Sequence, residues 1–302
     1  MKRYKISRIL LLVLSIFIGV GAYVGGIAML IKPDGSILHM ENMLPYFEIL
    51  PFSEILFQDY VFSGIMLIIV NGISNTVASI FILMKKRIGH TLGTIFGLTL
   101  ILWIIIQFVM FPINALDIIY FTLGLLQLII GYISLVSYNQ VNFKFNADDY
   151  KNIDKDSKIL VVYFSRCQYS KRLAYMKADQ EKANIIELKT KERTEGTLGF
   201  WWCGRFGMHK WPMETFPIDV DLNQYNRIIL VTPIWVFKMC SPMRDFMMKN
   251  QKILNTKEVE VLFNHFNPWL PKGAVKEVKE YANIIKVESK TTMLGHTFKL
   301  NK

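Results

Sequence analysis

The sequence predicts two folds in series. Residues 1–138 read as an all-α domain of four transmembrane helices, and residues 158–302 as an α/β domain on an open parallel sheet, with a linker over 139–157. Three observations carry this. Four charge-free apolar runs of 21 to 25 residues fill the first part. After Lys158 short β-prone runs alternate with amphipathic ones. Finally, residues 1–150 hold 9 Lys/Arg against 8 Asp/Glu, whereas residues 151–302 hold 26 against 16, so almost all of the net charge of +11 lies in the second part. With 52% of its 302 residues hydrophobic, the chain is far from the composition of a disordered protein. Three cysteines without a Cys-x-x-Cys pair exclude a disulfide scaffold and fit a reducing compartment.

The apolar runs are Ile9–Ile31, Tyr60–Met84, Thr91–Phe111 and Ile118–Tyr138. About 20 apolar residues span a bilayer core as a helix, so each is long enough. A buried core helix is the alternative for one such run, but four in 140 residues leave nothing polar to surround them. The first run follows Lys2, Arg3, Lys5 and Arg8 like a signal peptide, yet it is too long for one and no small-residue cleavage pattern follows.

Loop charges set the orientation. The N-terminal tail is basic and the loop between spans two and three is Lys85-Lys86-Arg87. The loop Pro33–Asp59 is acidic, and the last loop has Asp117 and no base. The positive-inside rule then places both termini in the cytoplasm, at the cell membrane. The Leu-, Phe- and Ile-rich Pro33–Asp59 loop is expected to lie on the membrane surface. Inside the spans Asn71, Asn75, Gln107 and Gln127 read as interhelical hydrogen-bond partners, and Gly21-x-x-x-Gly25 and Gly93-x-x-x-Gly97 as close helix contacts. No Asp, Glu, Lys or Arg lies within a run, which argues against a proton relay. His39 and His90 fall on opposite sides, which argues against a bis-histidine haem. The spans read as an anchor in contact with membrane lipid.

In the second part, Lys158–Phe164, Ala183–Thr190, Arg227–Thr232, Glu258–Phe266 and Ala282–Glu288 read as five strands. Ser170–Lys182, Pro242 to about Ile253, and Pro271–Tyr281 read as helices between them. The alternation predicts parallel strands with right-handed crossovers. The long insert Lys191–Pro217 is expected to hold a short helix over Thr197–Lys210, packed on the sheet, walling the pocket or touching the membrane interface through its tryptophans. The tail Lys290–Lys302 is too rich in Thr and Gly to form a last helix. An apolar sheet face is therefore expected to need other cover: the linker, the membrane domain, a second copy of the chain in a homodimer, or Leu294, Phe298 and Leu300 folding back.

Such a sheet places a ligand beyond the C-terminal ends of its strands. Three loops meet there. Ser165-Arg166-Cys167-Gln168-Tyr169-Ser170 brings hydroxyls and a cation to a helix N-terminus, an anion site or an ordinary helix cap. Thr232–Pro242 carries Trp235 and Phe237, which stack on a flat ring or anchor the loop. Asn264–Trp269 adds polar and aromatic groups, with His265 the best-placed proton donor and a structural histidine the plainer reading. Cys167 and Cys240 fall at this edge, and Cys203 joins from the insert. Their spacing holds no metal-ligand pattern, so free thiols are expected.

At these loops the sequence resembles the flavodoxin family. YFSRCQYSKRLA (Tyr163 to Ala174) is similar to that family's phosphate loop, usually YFSRTGNTKKLA, and TPIWVFKMCSPMRDFM (Thr232 to Met247) to its flavin-side loop, usually TPIWWGTPAPPVRTFL. GFWWCGRFG (Gly199 to Gly207) and Asp221–Tyr225 are also similar, and the resemblance covers about residues 157–290. It implies a flavodoxin-like, doubly wound five-stranded sheet of order 2-1-3-4-5 with bound FMN. Ser165, Arg166, Gln168, Tyr169 and Ser170 would surround the phosphate, and Thr232, Pro233, Ile234 and Trp235 would lie by the flavin ring. Gln168 and Tyr169 depart from the family's Gly-Asn, giving up the dihedral freedom and close approach that glycine allows.

Two function classes follow. One is a membrane-anchored flavoprotein, an oxidoreductase or electron carrier, moving electrons through FMN at the cytoplasmic face. The other is a non-catalytic interaction module that keeps the fold and has lost FMN. The basic surface suits an anionic leaflet, an acidic redox partner protein or NAD(P)H. Lysines scattered without a motif argue against nucleic acid.

Overall fold

The computed structural model describes residues 2–267, 269–293 and 296–299, in two units, Met1–Asn142 and Phe143–Lys302. In the first unit the apolar runs form four helices long and apolar enough to cross a membrane: α1 (Lys2–Ile31), α2 (Val61–Leu83), α3 (Arg87–Met110) and α4 (Ala115–Val141). Within α2 the stretch Ile68–Ile73 winds as a π-helix, the wider turn that carries Asn71.

Small residues set how closely these helices approach. A side chain added at Gly97 would meet the Leu128 amide nitrogen at 2.5 Å, and one at Gly131 would meet Thr94 at 2.6 Å, so α3 and α4 touch backbone to backbone. Amides link the others: Gln127 Nε2 of α4 donates to Asn75 Oδ1 of α2 (2.7 Å) and to Ser15 Oγ of α1 (3.2 Å). His90 is buried at the start of α3, 2.9 Å from Ser134 Oγ, whereas His39 lies in the loop at the other end of α1. That loop, Pro33–Asp59, winds through short 3-10 turns. It closes over the bundle end with Phe47, Tyr60 and Phe111 buried together, and the Tyr60 hydroxyl donates to the Met40 carbonyl (2.7 Å).

The second unit is built on one sheet. Its elements are β1 (Ile159–Tyr163), α5 (Tyr169–Glu181), β2 (Asn184–Glu187), α6 (Gly196–His209), β3 (Arg227–Trp235), β4 (Lys238–Met239), α7 (Ser241–Lys249), β5 (Glu258–His265), α8 (Lys272–Tyr281), β6 (Ile284–Met293) and β7 (His296–Lys299). The strands lie in the order β2-β1-β3-β5-β6-β7, all pairs parallel except the last, and β4 folds back on β3 as a hairpin. Leaving out that hairpin, the parallel part runs 2-1-3-4-5, the flavodoxin-like doubly wound order. Alternation along β1 feeds both layers. Val161 and Tyr163 pack under α5, while Leu160, Val162 and Phe164 join the larger core beneath α7 and α8.

Two features differ from the sequence expectation. The sheet gains a sixth strand in place of a last helix, because the Thr-rich tail pairs antiparallel to β6. Leu294 and Leu300 lie outside the described residues, and nothing is described of the Phe298 side chain. Where β5 and β6 meet the edge of α5, the sheet face also carries charge among its apolar residues. Glu260 pairs across with Lys286, and Leu262 with Glu288. Arg227 bonds both Glu260 (3.1 Å) and Glu181, while Lys286 meets Glu288.

Residues 143–157 belong to the second unit and run along α5. Phe143 meets the Tyr169 ring edge to face at 4.7 Å, Phe145 meets Tyr175 at 4.9 Å, and the Asn152 amide donates to Asp179 Oδ1 (2.8 Å).

The packing yields a contrast between two glycines. Gly97→Leu has only backbone to displace and should lower stability by about 1–3 kcal/mol. Gly204→Ala on α6 meets nothing within 4 Å and should be neutral or stabilising by about 0.5–1 kcal/mol. Thermal melts of the full chain in detergent check both signs.

Candidate functional site

Strands β1 and β3 are neighbours whose following helices pack on opposite faces, so a crevice opens at their C-terminal ends. Of the nine residues singled out from the sequence, Ser165, Arg166, Gln168, Tyr169 and Ser170 lie on the segment that leaves β1 and starts α5, and Thr232, Pro233, Ile234 and Trp235 form the C-terminal end of β3.

The first loop leads from β1 into α5. Gln168 precedes the helix in the left-handed region (φ 63°) and makes no side-chain cap. The first N–H groups of a helix have no partner within it, so those of Tyr169, Ser170 and Lys171 face the loop with the positive end of the helix dipole. Ser165 Oγ is buried without a hydrogen-bond partner. Ser170 Oγ accepts from Asn264 Nδ2 (3.1 Å), and Asn264 Oδ1 accepts from the Thr292 hydroxyl (2.6 Å). The ends of β5 and β6 are thereby tied to the start of α5.

Arg166 faces α6. Its Nε donates to the Thr194 carbonyl and its Nη2 to the Gly196 carbonyl, both at 2.8 Å, and the guanidinium lies 5.3 Å from the centre of the Phe200 ring. Tyr169 packs its ring on Phe143, and burial pushes its hydroxyl up to about 12.

The second loop is the β3–β4 hairpin. Thr232 is fully buried, its hydroxyl 3.1 Å from Cys240 Sγ. Pro233, Ile234 and Trp235 are half-buried, and Trp235 meets Phe164 edge to face at 5.6 Å. The turn itself is Val236-Phe237, both with positive φ (47° and 62°). A two-residue turn of this kind favours Asn-Gly, and a β-branched residue there is strained.

A buried ion pair fixes this hairpin. Arg244 of α7, 1% exposed, pairs through Nε with Glu277 of α8. Its Nη1 donates to the Trp211 carbonyl and to Ser241 Oγ, and its Nη2 to the Met239 carbonyl, all at 3.0 Å. Glu277 Oε2 accepts from the Met239 amide (3.0 Å). Sequence reasoning missed this pair. The available signal was Glu277 at a core-facing position of α8, between Ala274, Val278 and Tyr281.

In the third loop the Asn267 carbonyl accepts from Thr291 Oγ1 (3.0 Å) and lies 2.8 Å from His265 Nδ1. A carbonyl only accepts, so Nδ1 carries the proton and Nε2, buried without a partner, is a bare acceptor. Burial holds the His265 imidazole below its usual range. Pro268 lies outside the described residues.

None of the three cysteines forms a disulfide. Burial pushes Cys203 up to about 11 and Cys240 up to about 12, so both stay protonated at neutral pH. Among the described residues no cluster of His, Cys, Asp or Glu could hold a metal ion. A separate cavity lies along β2, lined by Tyr163, Tyr175, Glu187 and Phe216 among others.

No family model matches the chain, and no curated protein does. Among solved structures, it is similar to a flavoprotein from Lactobacillus acidophilus in complex with FMN, at 20% identity over 43% of this chain and 91% of that one (TM-score 0.38). It is also similar to two proteins provisionally named flavoproteins. One, from Bacteroides eggerthii, is 17% identical over 44% and 87% (TM-score 0.38). The other, from Bacteroides uniformis, is 18% identical over 45% and 92% (TM-score 0.40). The strand order, not these likenesses, carries the fold assignment.

Two stability changes follow from the site. Arg244→Met strands a buried carboxylate and should cost about 3–5 kcal/mol, and the double change Arg244→Met/Glu277→Leu should cost markedly less. Replacing the turn by Val236→Asn with Phe237→Gly relieves left-handed strain and should add about 1–2 kcal/mol. Thermal or urea melts of the full chain measure both, and equal losses for the single and double variants at the ion pair would contradict its role.

Proposed function

We propose that this chain is a membrane-anchored flavoprotein that binds FMN in the crevice between β1 and β3 and transfers electrons at the cytoplasmic face of the cell membrane. The observation that carries the reading is Ser165 Oγ, a buried hydroxyl without a protein partner, beside the uncapped N-terminus of α5 at the switch point of the sheet. A buried polar atom without a partner costs about 1–3 kcal/mol, and a phosphate oxygen accepts a hydrogen bond readily from a hydroxyl.

In this reading the Ser165 and Ser170 hydroxyls and the first-turn N–H groups of α5 hold the phosphate. Gln168 supplies the left-handed turn usual for glycine, at a cost of about 1–2 kcal/mol. Arg166 clamps the loop to the start of α6 and adds positive charge nearby. Thr232, Pro233, Ile234 and Trp235 border the flavin ring on a hairpin held rigid from behind. A bound flavin supplies the one- and two-electron chemistry, and the protein orients it and excludes water. Anchoring rests on the four apolar helices, and orientation on Lys85-Lys86-Arg87 and the basic N-terminus. The electron partner is an acidic protein or NAD(P)H, matched to the basic second half.

A second reading, a flavin-free interaction module, is favoured by one observation: two Arg166 donors are already engaged by protein carbonyls. Ser165→Ala separates the two. Because Ser165 Oγ bonds nothing in the protein, its removal should leave the thermal midpoint without flavin unchanged or higher, while FMN affinity falls about tenfold. A yellow preparation of the full chain with one FMN per chain, titrated by flavin fluorescence, gives the baseline. A colourless preparation that FMN cannot reconstitute would leave the interaction module.

A further inference from the structure

Helix α6 is amphipathic the wrong way round for a helix in water. Among its described positions the buried ones are Gly199, Cys203 and Gly207, small residues at every fourth place. Gly207 lets the backbone sit directly on the hairpin, where an added side chain would stand 3.0 Å from Trp235 Cβ. The large side chains therefore point outward, with Trp201 70%, Leu198 64% and Met208 63% exposed. Soluble helices put such residues inward, and an outward apolar face of this kind marks an interaction surface.

Its chemistry indicates what it meets. Arg205 lies over the rings of both Trp202 and Trp211, at 5.8 and 5.6 Å, and His209 stacks on Trp211 at 4.5 Å. Tryptophan with interleaved cations is the composition of the headgroup region of a bilayer. From Lys189 to Lys210 there are five Lys/Arg and two Glu, and one of those, Glu192, accepts the Trp202 indole N–H (2.7 Å). The tether is short. Helix α4 is apolar enough to span a membrane and ends at Val141, and Phe143 is already packed on Tyr169. Two residues of chain reach about 7 Å.

We infer that α6 is an interfacial helix whose outward face, led by Leu198, Trp201 and Met208, seats in the headgroup region of a membrane containing anionic phospholipid. The small inward stripe lets the helix lie flat on the domain, and the cations beside the indoles pair with lipid phosphates.

The test uses the full chain in lipid nanodiscs, in a Cys167→Ser background, labelled with an environment-sensitive fluorophore at Trp201→Cys, at Leu198→Cys, or at Lys252→Cys on the exposed turn after α7. In discs containing phosphatidylglycerol, nitroxide phospholipids should quench the labels at 201 and 198 several-fold more than the label at 252. The difference should shrink in pure phosphatidylcholine. The Leu198 label keeps Trp201 in place, so the two together separate loss of an anchor from absence of one. Equal quenching at all three positions overturns the inference. So does a blue shift at 198 and 201 without lipid quenching, which assigns the face to a second protein copy.

Discussion

The ion pair of Arg244 with Glu277 is the constraint on which the candidate site depends. It joins α7 to α8 inside the core, and its remaining hydrogen bonds reach the Met239 amide and carbonyl, Ser241 and the Trp211 carbonyl. One buried guanidinium thus fixes the return strand of the hairpin, the start of α7 and the segment after α6. A pair so buried adds little net stability compared with an apolar contact, but either charge alone would be costly. Its effect here is geometric: it ties the return strand of the hairpin to α7 and α8.

That rigidity explains how the site tolerates irregular backbone. Gln168, Val236 and Phe237 all adopt left-handed dihedrals without being glycine. Each lies on a loop held from behind, by Arg166 in one case and by Arg244 with Glu277 in the other. Ser165 Oγ and His265 Nε2 are buried without partners at the same end of the sheet. Strain and unmet hydrogen bonding gather at these loops, while β1, β3 and β5 form an ordinary layered core.

Much of this was legible in the sequence, and the physical reasons are specific. The four helices long and apolar enough to cross a membrane follow from uninterrupted apolar length. The strand order was implied by the resemblance of the two loop motifs, whereas the alternation of runs predicted only parallel strands. The Arg244–Glu277 pair was not legible because opposite charges on two helices 33 residues apart look like surface residues until the fold brings them together. The β6–β7 pairing was missed because the Thr-rich tail was weighed as a poor helix or as a fold-back of Leu294, Phe298 and Leu300, and not as a strand. Helix α6 was expected at nearly its observed bounds, but its periodicity could not say which face turns inward. The buried Gly199 and Cys203, and Gly207 against Trp235, decide that.

The most direct measurement is a high-resolution structure of the purified full chain with FMN. The phosphate should lie within hydrogen-bonding distance of Ser165 Oγ and the first-turn amides of α5, with the flavin ring beside Trp235. Flavin bound instead in the cavity along β2, or an empty crevice at saturating FMN, would contradict it.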